Sequence, residues 1–378
     1  MGNKISSKER LIRAFHREKV DCLPVTSHHV QEYFLKKYMN GISSSEFFKE
    51  LQMDPIDWYM PTKADESKGE YYDDLYLNSP TWKVVITDIP HPTYATKKID
   101  IITPKKTLIT VQQSNEYTTW VVEHLIKEKN DIDILAEYMP WPKYDVDAIN
   151  KKYLEIGDTA ILRGHIITNN LYGQPGCWQD LACCYGIEKL IMETYDDPEW
   201  VHTALKVILD KKMIAVNSLD GARYDILELG GGDASSTVIS PKILREFVIP
   251  YDNEIIVKAH KYNQRIVYHT CGGMMPILED IQSMNPDAME TLTPVGMGGD
   301  VVLSEVKKRI GDKVCLIGGF DQGYGFTCDP DETRKMVRQA FQAAGENGGY
   351  VLCPSDHFFD ANVECIRAFV DEARKCKY

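Results

Sequence analysis

The chain has 378 residues, of which 43% are hydrophobic, and a formal net charge of −13. This acidic balance is not typical of nucleic-acid-binding proteins, and no apolar run is long enough to cross a membrane. The 10 cysteines are too sparse for the disulfide framework of a small secreted domain, so we expect reduced thiols and a cytoplasmic protein.

The first predicted elements are a helix over residues 8–17 and a short barrel strand over 20–26. Ser6, followed three residues later by Glu9, is typical of a capping box that starts a helix. A helix near 31–38 and a second strand over 54–59 follow.

Residues from about 71 to 122 have a different composition. They contain runs rich in β-branched side chains, separated by proline or by pairs of lysines. Such runs predict antiparallel β-hairpins, which we expect to be inserted into the main domain and to lie over one of its mouths. Helices are predicted next, near 120–127 and 131–138.

After residue 142 the pattern alternates between strand and helix, which favours a parallel sheet with helical crossovers. The predicted strands are 159–163, 224–229, 265–269, 288–292, 314–318 and 350–353. The predicted helices are 187–195, 198–217, 241–262, 274–284, 303–309, 331–344 and 362–375. Eight strands in all predict a (β/α)8 TIM barrel, so we interpret residues 1–378 as one domain with an antiparallel β-hairpin insertion at about 71–122.

Four chemically reactive residues follow or end three of these strands, namely His269, Cys271, Glu290 and Cys353. A TIM barrel builds its active site at the carboxyl ends of its strands. Imidazole, thiolate and carboxylate groups are the ligands that zinc prefers. A His-x-Cys pair alone is also common in protein cores, but placement at three strand ends favours a catalytic zinc site.

Other residues at the same mouth are predicted to contact substrate. They are His28, His29, Glu228, Asp233, Tyr268, Asp321 and His357. Glu228 and Asp233 flank a run of three glycines that permits a tight turn, and a loop with polar caps explains them equally well.

Several segments resemble a known family. Residues 7–12, 20–25, 239–242 and 247–251 resemble proteins with the uroporphyrinogen decarboxylase fold. The segment 269–273, HTCGG, resembles the branch made of zinc methyltransferases that act with corrinoid proteins, such as methylcobamide:coenzyme M methyltransferases. The context of Glu290 is similar to that of the zinc-ligating glutamate in cobalamin-independent methionine synthase. This resemblance implies zinc held by His269, Cys271 and Cys353, with Glu290 as a fourth ligand, and a methylcobamide corrinoid carried by a partner protein.

The chain departs from true uroporphyrinogen decarboxylase in its arginines. That enzyme binds the carboxylates of its substrate with an arginine-rich N-terminal segment, whereas no arginine occurs here between Arg17 and Arg163. We therefore expect the fold without the decarboxylase activity.

The function predicted is zinc-dependent methyl transfer between a corrinoid protein and a small molecule. The small molecule is either a thiol acceptor, which loses its proton on binding a metal, or a methyl donor such as a methoxy-aromatic or a methylamine. A uroporphyrinogen decarboxylase-like lyase, a zinc hydrolase on the same barrel and a non-catalytic corrinoid-binding module are the alternatives. No nucleic-acid or membrane partner is expected.

Overall fold

A parallel β-sheet forms the centre of the protein. The structure is a computed structural model that describes residues 5–169 and 171–378. Within them the sheet has seven strands, in the order Ile56–Trp58, Ile161–His165, Ile226–Gly230, Ile266–His269, Ala288–Thr291, Cys315–Gly318 and Tyr350–Val351. Every neighbouring pair is parallel. Most of the strand residues are apolar and buried because helices cover the sheet.

The segment around Val25 links the two edge strands of this sheet. Val25 forms a parallel bridge with Leu352, and its carbonyl accepts a hydrogen bond of 2.7 Å from the amide of Asp54. The strand predicted over 20–26 is therefore reduced to a single bridge. The strand predicted to reach Cys353 ends at Val351, with Leu352 in that bridge.

Three helices precede the first parallel strand, and others follow the later strands. They are Ser7–Phe15, Glu32–Tyr38, Ser44–Leu51, Asp131–Tyr138, Val146–Ile156, Cys177–Tyr185, Ile187–Asp196, Pro198–Asn217, Pro241–Ile243, Ile249–Lys261, Leu278–Ser283, Leu303–Ile310, Gln322–Gly325, Pro330–Ala344 and Val363–Lys375. Ser6 caps the first helix by accepting a hydrogen bond from the amide of Glu9. The helix predicted over 241–262 is interrupted by a π-helical turn, Leu244–Val248. In the described part of the chain, no helix has the length and apolar character needed to span a bilayer.

A second sheet, antiparallel and four-stranded in the described residues, precedes most of the parallel strands. Its strands are Lys83–Ile89, Ala95–Ile102, Thr107–Ser114 and Thr119–Glu123, paired in chain order. Two smaller pairs, Tyr71–Asp73 with Tyr76–Asn78 and Thr62–Lys63 with Lys143–Tyr144, accompany it. Ile99 and Leu108 are buried on one face of the large sheet, as expected for an antiparallel sheet with one covered face.

The helix predicted over 120–127 is wrong, because the chain there forms the strand Thr119–Glu123. Trp120 and Val121 pair with Gln113 and Gln112 of the preceding strand. Aromatic and β-branched side chains fit a half-buried pleated surface better than a helix. A short apolar run does not by itself show whether the segment forms a helix or pairs with a neighbouring strand.

The antiparallel sheet contacts the loop that follows the strand Ile161–His165. The side chain of Gln112 donates a hydrogen bond of 3.1 Å to the carbonyl of Leu171. The hydroxyl of Tyr172 donates one of 2.8 Å to the carbonyl of Thr119. These contacts place part of the antiparallel sheet beside the carboxyl ends of the parallel strands.

Candidate active site

Strand register brings His269 and Glu290 side by side. His269 is the last residue of Ile266–His269, and its partner in the next strand is Glu290. On its other side His269 pairs with Gly230, which has a positive φ of 105°. A Cβ at Gly230 would lie 2.4 Å from the carbonyl oxygen of His269, so glycine is required for this close approach.

Arg163 is the cation at the centre of the site. It pairs with Trp58 of the strand Ile56–Trp58, and its guanidinium lies 4.5 Å from the centroid of that indole ring. It donates hydrogen bonds to both carboxylate oxygens of Glu290 and, at 2.6 Å, to Glu228. One guanidinium thus faces two carboxylates, which together carry more negative charge than it neutralises.

Glu290 and Arg163 together orient the imidazole of His269. Glu290 Oε1 accepts a hydrogen bond of 2.9 Å from Nδ1 of His269, which leaves Nε2 available. Burial lowers the pKa of His269. The carboxylate of Glu228, the thiol of Cys271 and the hydrogen bond to Glu290 raise this pKa by more, so it lies well above its usual value. A carboxylate that holds one imidazole nitrogen while the other faces a metal is a common arrangement in metalloproteins.

Cys271 lies directly against the other imidazole nitrogen of His269. Its Sγ is 3.2 Å from Nε2 of His269. A zinc ion bound to both atoms with ordinary bond lengths and a tetrahedral angle would hold them about 3.6 Å apart. The two atoms therefore lie about 0.4 Å closer together than a shared zinc ion would hold them, so a small separation would admit one metal ion.

Cys353 lies nearby and is almost completely buried. Its side chain has 1% exposure, and burial together with the charge of Glu290 raises its pKa above the usual thiol value. Sγ of Cys353 lies 3.6 Å from Nδ1 of His28. The thiol of Cys353 therefore contacts His28, while Glu290 is engaged by Arg163 and His269.

The substrate-contacting residues predicted from the sequence fall into three groups. His28, His29 and His357 cluster together, and Glu228 joins His269 and Glu290 in a second group of potential metal ligands. The third group consists of Tyr268, Asp233 and Asp321, which have other partners.

Each member of the third group is held by a neighbour. Tyr268 is fully buried, and its hydroxyl donates a hydrogen bond of 3.0 Å to Asp252. Asp321 caps the helix Gln322–Gly325. The backbone amide of Asp233 donates a hydrogen bond of 3.0 Å to the side chain of Gln179, and burial raises the pKa of the Asp233 carboxyl.

Arg163 was not predicted as a site residue, nor was Trp58. A signal for Arg163 exists, because it is the one charged side chain of the predicted strand over 159–163. A charge on a strand that is otherwise apolar has to find a buried partner. The sequence does not identify that partner, since Glu290 lies 127 residues away.

A large cavity in the described residues lies elsewhere. It has a volume of about 1190 Å³ and is lined by Arg10, Asp21, Pro55 and Thr159, among others. Pro55 and Thr159 precede parallel strands, so this cavity opens at their amino ends. In barrels of parallel strands the chemistry occurs at the opposite end, where the histidines, cysteines and carboxylates described above lie.

Fold and site together define an α/β protein with its reactive groups at the carboxyl ends of parallel strands. Residues 176–376 match the family model for Uroporphyrinogen decarboxylase (URO-D). This match spans more than half of the chain, and the protein belongs to that family.

Curated relatives agree with this membership, and a solved structure shares the fold. Uroporphyrinogen decarboxylases of Chlorobaculum tepidum and Chlorobaculum parvum are 26% and 28% identical over 193 residues, which cover 47% of this chain and 50% of each relative. The chain thus matches about half the length of these relatives. A methyltransferase from Methanosarcina mazei has a similar fold, with a TM-score of 0.62 and 16% identity over 98% of both chains.

Proposed function

We propose that this protein is a zinc-dependent methyltransferase. It would move a methyl group between a methylcobamide-type corrinoid, carried by a partner protein, and a small thiol acceptor or methyl donor. The observation that carries the proposal is the distance of 3.2 Å between Nε2 of His269 and Sγ of Cys271, with Glu290 on the opposite imidazole nitrogen. The similar fold of a methyltransferase supports the same reaction class.

In this proposal His269, Cys271 and Cys353 hold the zinc ion. A soft, thiolate-rich ligand set suits a sulfur ligand from the substrate. When bound, the metal would lower the pKa of a substrate thiol or polarise the heteroatom of a methyl donor. The prediction that Glu290 is a fourth ligand in the resting enzyme stays a separate prediction, because ligation would require this carboxylate to leave Nδ1 of His269 and the guanidinium of Arg163.

The residues of the chain itself orient these ligands. Glu290 fixes the tautomer of His269 by accepting its Nδ1 proton, and Arg163 keeps Glu290 in place through two hydrogen bonds. Arg163 is in turn held against the ring of Trp58. Burial of this network excludes water from the carboxylate side of His269, so the imidazole retains one orientation during turnover.

The charge of the site argues against a decarboxylase acting on a polyanionic tetrapyrrole. The single guanidinium of Arg163 is paired with Glu228 and Glu290, so its charge is already compensated. Asp356 adds a further carboxylate beside His357. A substrate with many carboxylates requires the reverse distribution of charge.

We also propose that residues 1–378 act as one eight-stranded barrel with a β-rich insertion at about 71–122, in the cytoplasm. The bridge at Val25 supports the barrel. The contacts of Gln112 and Tyr172 support an insertion that borders the mouth. The corrinoid partner would approach this mouth, where it meets the small substrate.

Two assays test the reaction in its two directions. In one, the zinc-loaded enzyme is incubated with methylcobalamin and a panel of small thiols. In the other, it is incubated with a cobalt(I) corrinoid and methoxy-aromatics, methylamines or methanol. Visible absorbance reports the state of cobalt in both. We expect zinc-dependent turnover in one series and its loss in Cys271→Ser, with Cys328→Ser as the matched control.

Absence of turnover in both series, with a native corrinoid protein supplied, would contradict the methyltransferase proposal. Hydrolysis of esters or amides by the zinc-loaded enzyme alone would then support the zinc-hydrolase alternative. Binding of cobalamin that persists unchanged in Cys353→Ser, without turnover, would support a corrinoid-binding module.

A further inference from the structure

Three histidines outside the proposed zinc ligands meet at the same mouth. They are His28 and His29, which follow the bridge at Val25, and His357, which follows the strand Tyr350–Val351. Their ring centroids lie 5.0 Å (His28 to His29), 5.6 Å (His28 to His357) and 4.9 Å (His29 to His357) apart. One nitrogen of each ring lies within 4.8 Å of the other two.

His28 has a buried nitrogen without a hydrogen-bond partner. The residue is 2% exposed, and while Nδ1 faces the thiol of Cys353, Nε2 has no partner in the described part of the chain. Leaving a buried polar group unsatisfied costs roughly 1–3 kcal/mol. Such a group requires an explanation, and a bound ion supplies one.

The other two rings are held in place by neighbours. His29 stacks on Trp58 with a centroid distance of 4.7 Å and an angle of 11°, and the indole nitrogen of Trp58 donates a hydrogen bond of 2.6 Å to the carbonyl of His28. Nδ1 of His357 lies 3.3 Å from Oδ1 of Asp356. A carboxylate on one imidazole nitrogen is the arrangement that orients the other nitrogen toward a metal.

We propose that His28, His29 and His357 form a second site for a divalent cation of the zinc class. Three imidazoles with one open position are a known catalytic zinc ligand set. Tetrahedral binding would bring the nitrogens, which lie within 4.8 Å of one another, to about 3.3 Å.

The ligand set also determines what this second ion would bind. Three imidazoles leave the ion with its full charge of +2, so its open position favours an anionic oxygen of a substrate or a hydroxide. The thiolates proposed for the first site make that ion softer and less positive. This inference does not depend on the methyltransferase proposal.

Cobalt(II) titration of the chelator-treated protein tests the second site. We expect two equivalents to bind, one with the intense sulfur-to-cobalt charge-transfer absorption and one with ligand-field bands alone. The double variant His29→Phe/His357→Phe keeps ring packing but removes two ligands, so it should lose only the second equivalent. Cys271→Ser/Cys353→Ser should lose the charge-transfer absorption and retain the other equivalent.

Two further variants keep the test decisive. Loss of a residue that only orients a metal ligand weakens metal binding by about 10–100-fold. His357 is proposed as a direct ligand, so His357→Phe alone should weaken binding of the second equivalent by at least about 100-fold. The matched control is His91→Phe, which alters an exposed histidine in the loop between two antiparallel strands and should leave both equivalents unchanged. Circular dichroism spectra verify that each variant is folded.

A wild-type protein that binds only one equivalent, with the sulfur-to-cobalt charge-transfer absorption and unchanged in His29→Phe/His357→Phe, would overturn the proposal. So would a second equivalent that survives unchanged in the folded His357→Phe variant. If the charge-transfer absorption is missing from the wild type but the histidine-dependent equivalent is present, the second site stands and the proposed thiolate site fails.

Discussion

Arg163 and Glu290 form an ion pair joined by two hydrogen bonds at the carboxyl ends of two parallel strands. Their side chains are 2% and 1% exposed. Burial raises the pKa of Glu290, but the charge of Arg163 and the hydrogen bond from His269 hold that pKa well below its usual range. The pair therefore presents an ionised carboxylate to the imidazole on which the proposed zinc site depends.

Removal of Arg163 is expected to destabilise the protein strongly. Arg163→Met leaves Glu228 and Glu290 buried without the guanidinium that pairs with both of them, and breaking a buried pair in this way costs about 3–5 kcal/mol. Urea unfolding followed by circular dichroism measures the change. The control is Arg367→Met, whose exposed pair with Glu50 is expected to contribute about 0–1 kcal/mol. Equal losses in the two variants would contradict the buried network.

Substitution of the proposed thiolate ligands is expected to remove zinc without unfolding the protein. Cys271→Ser and Cys353→Ser should each lose the equivalent bound at the thiolate site, because a hydroxyl is a poor zinc ligand compared with a thiolate. Metal analysis measures the stoichiometry, and Cys328→Ser serves as the control. The secondary structure should persist, since the core does not depend on the ion. Full occupancy in both ligand variants would eliminate the assignment.

The role of Glu290 can be resolved by X-ray absorption spectroscopy of the zinc-loaded wild type and Glu290→Gln. If Glu290 is a fourth ligand, its substitution removes or lengthens an oxygen contact in the zinc spectrum. If it acts only by orienting His269, the ligand set is unchanged and zinc affinity falls by about 10–100-fold. Identical spectra would show that the prediction of direct ligation is wrong.

Asp252 is expected to make stability depend on pH. Burial raises its pKa from 3.8 to about 6, against the hydrogen bonds from Cys177 and Tyr268 and the charge of Lys212, which lower it. A raised pKa in the folded state means that the stability contributed by the protonated form is complete below pH 3.8 and is lost as the pH rises through about 6.

The substitution Asp252→Asn should remove this dependence, because an asparagine side chain stays neutral at every pH and mimics the protonated acid. Between about pH 4.5 and about pH 7.5 the wild type should lose roughly 2 kcal/mol of stability relative to Asp252→Asn. Urea unfolding at both pH values measures the difference. A constant difference across this range would show that Asp252 titrates in the folded protein as it does in the unfolded chain.

The alternation of apolar strands with helices after residue 142 predicts the parallel sheet, because the continuous apolar runs of buried strands and the spacing of apolar residues in helices are both visible in the sequence. The α/β class and the family relationship are confirmed. The first barrel strand was overpredicted, since Val25 forms only one bridge. Thr119–Glu123 forms a strand where the sequence predicts a helix, because its apolar run is short and its pairing partner lies on another segment.

The local apolar runs locate the strands, so the sequence by itself indicates which residue types lie at the strand ends. These residues are His269, Cys271, Glu290 and Cys353. Which of these groups touch depends on the tertiary structure. Arg163 reaches Glu290 across the sheet, and His28 faces Cys353 from the other end of the chain. Such contacts depend on register and on closure between distant segments, and these are set by packing of the whole core and not by any local pattern.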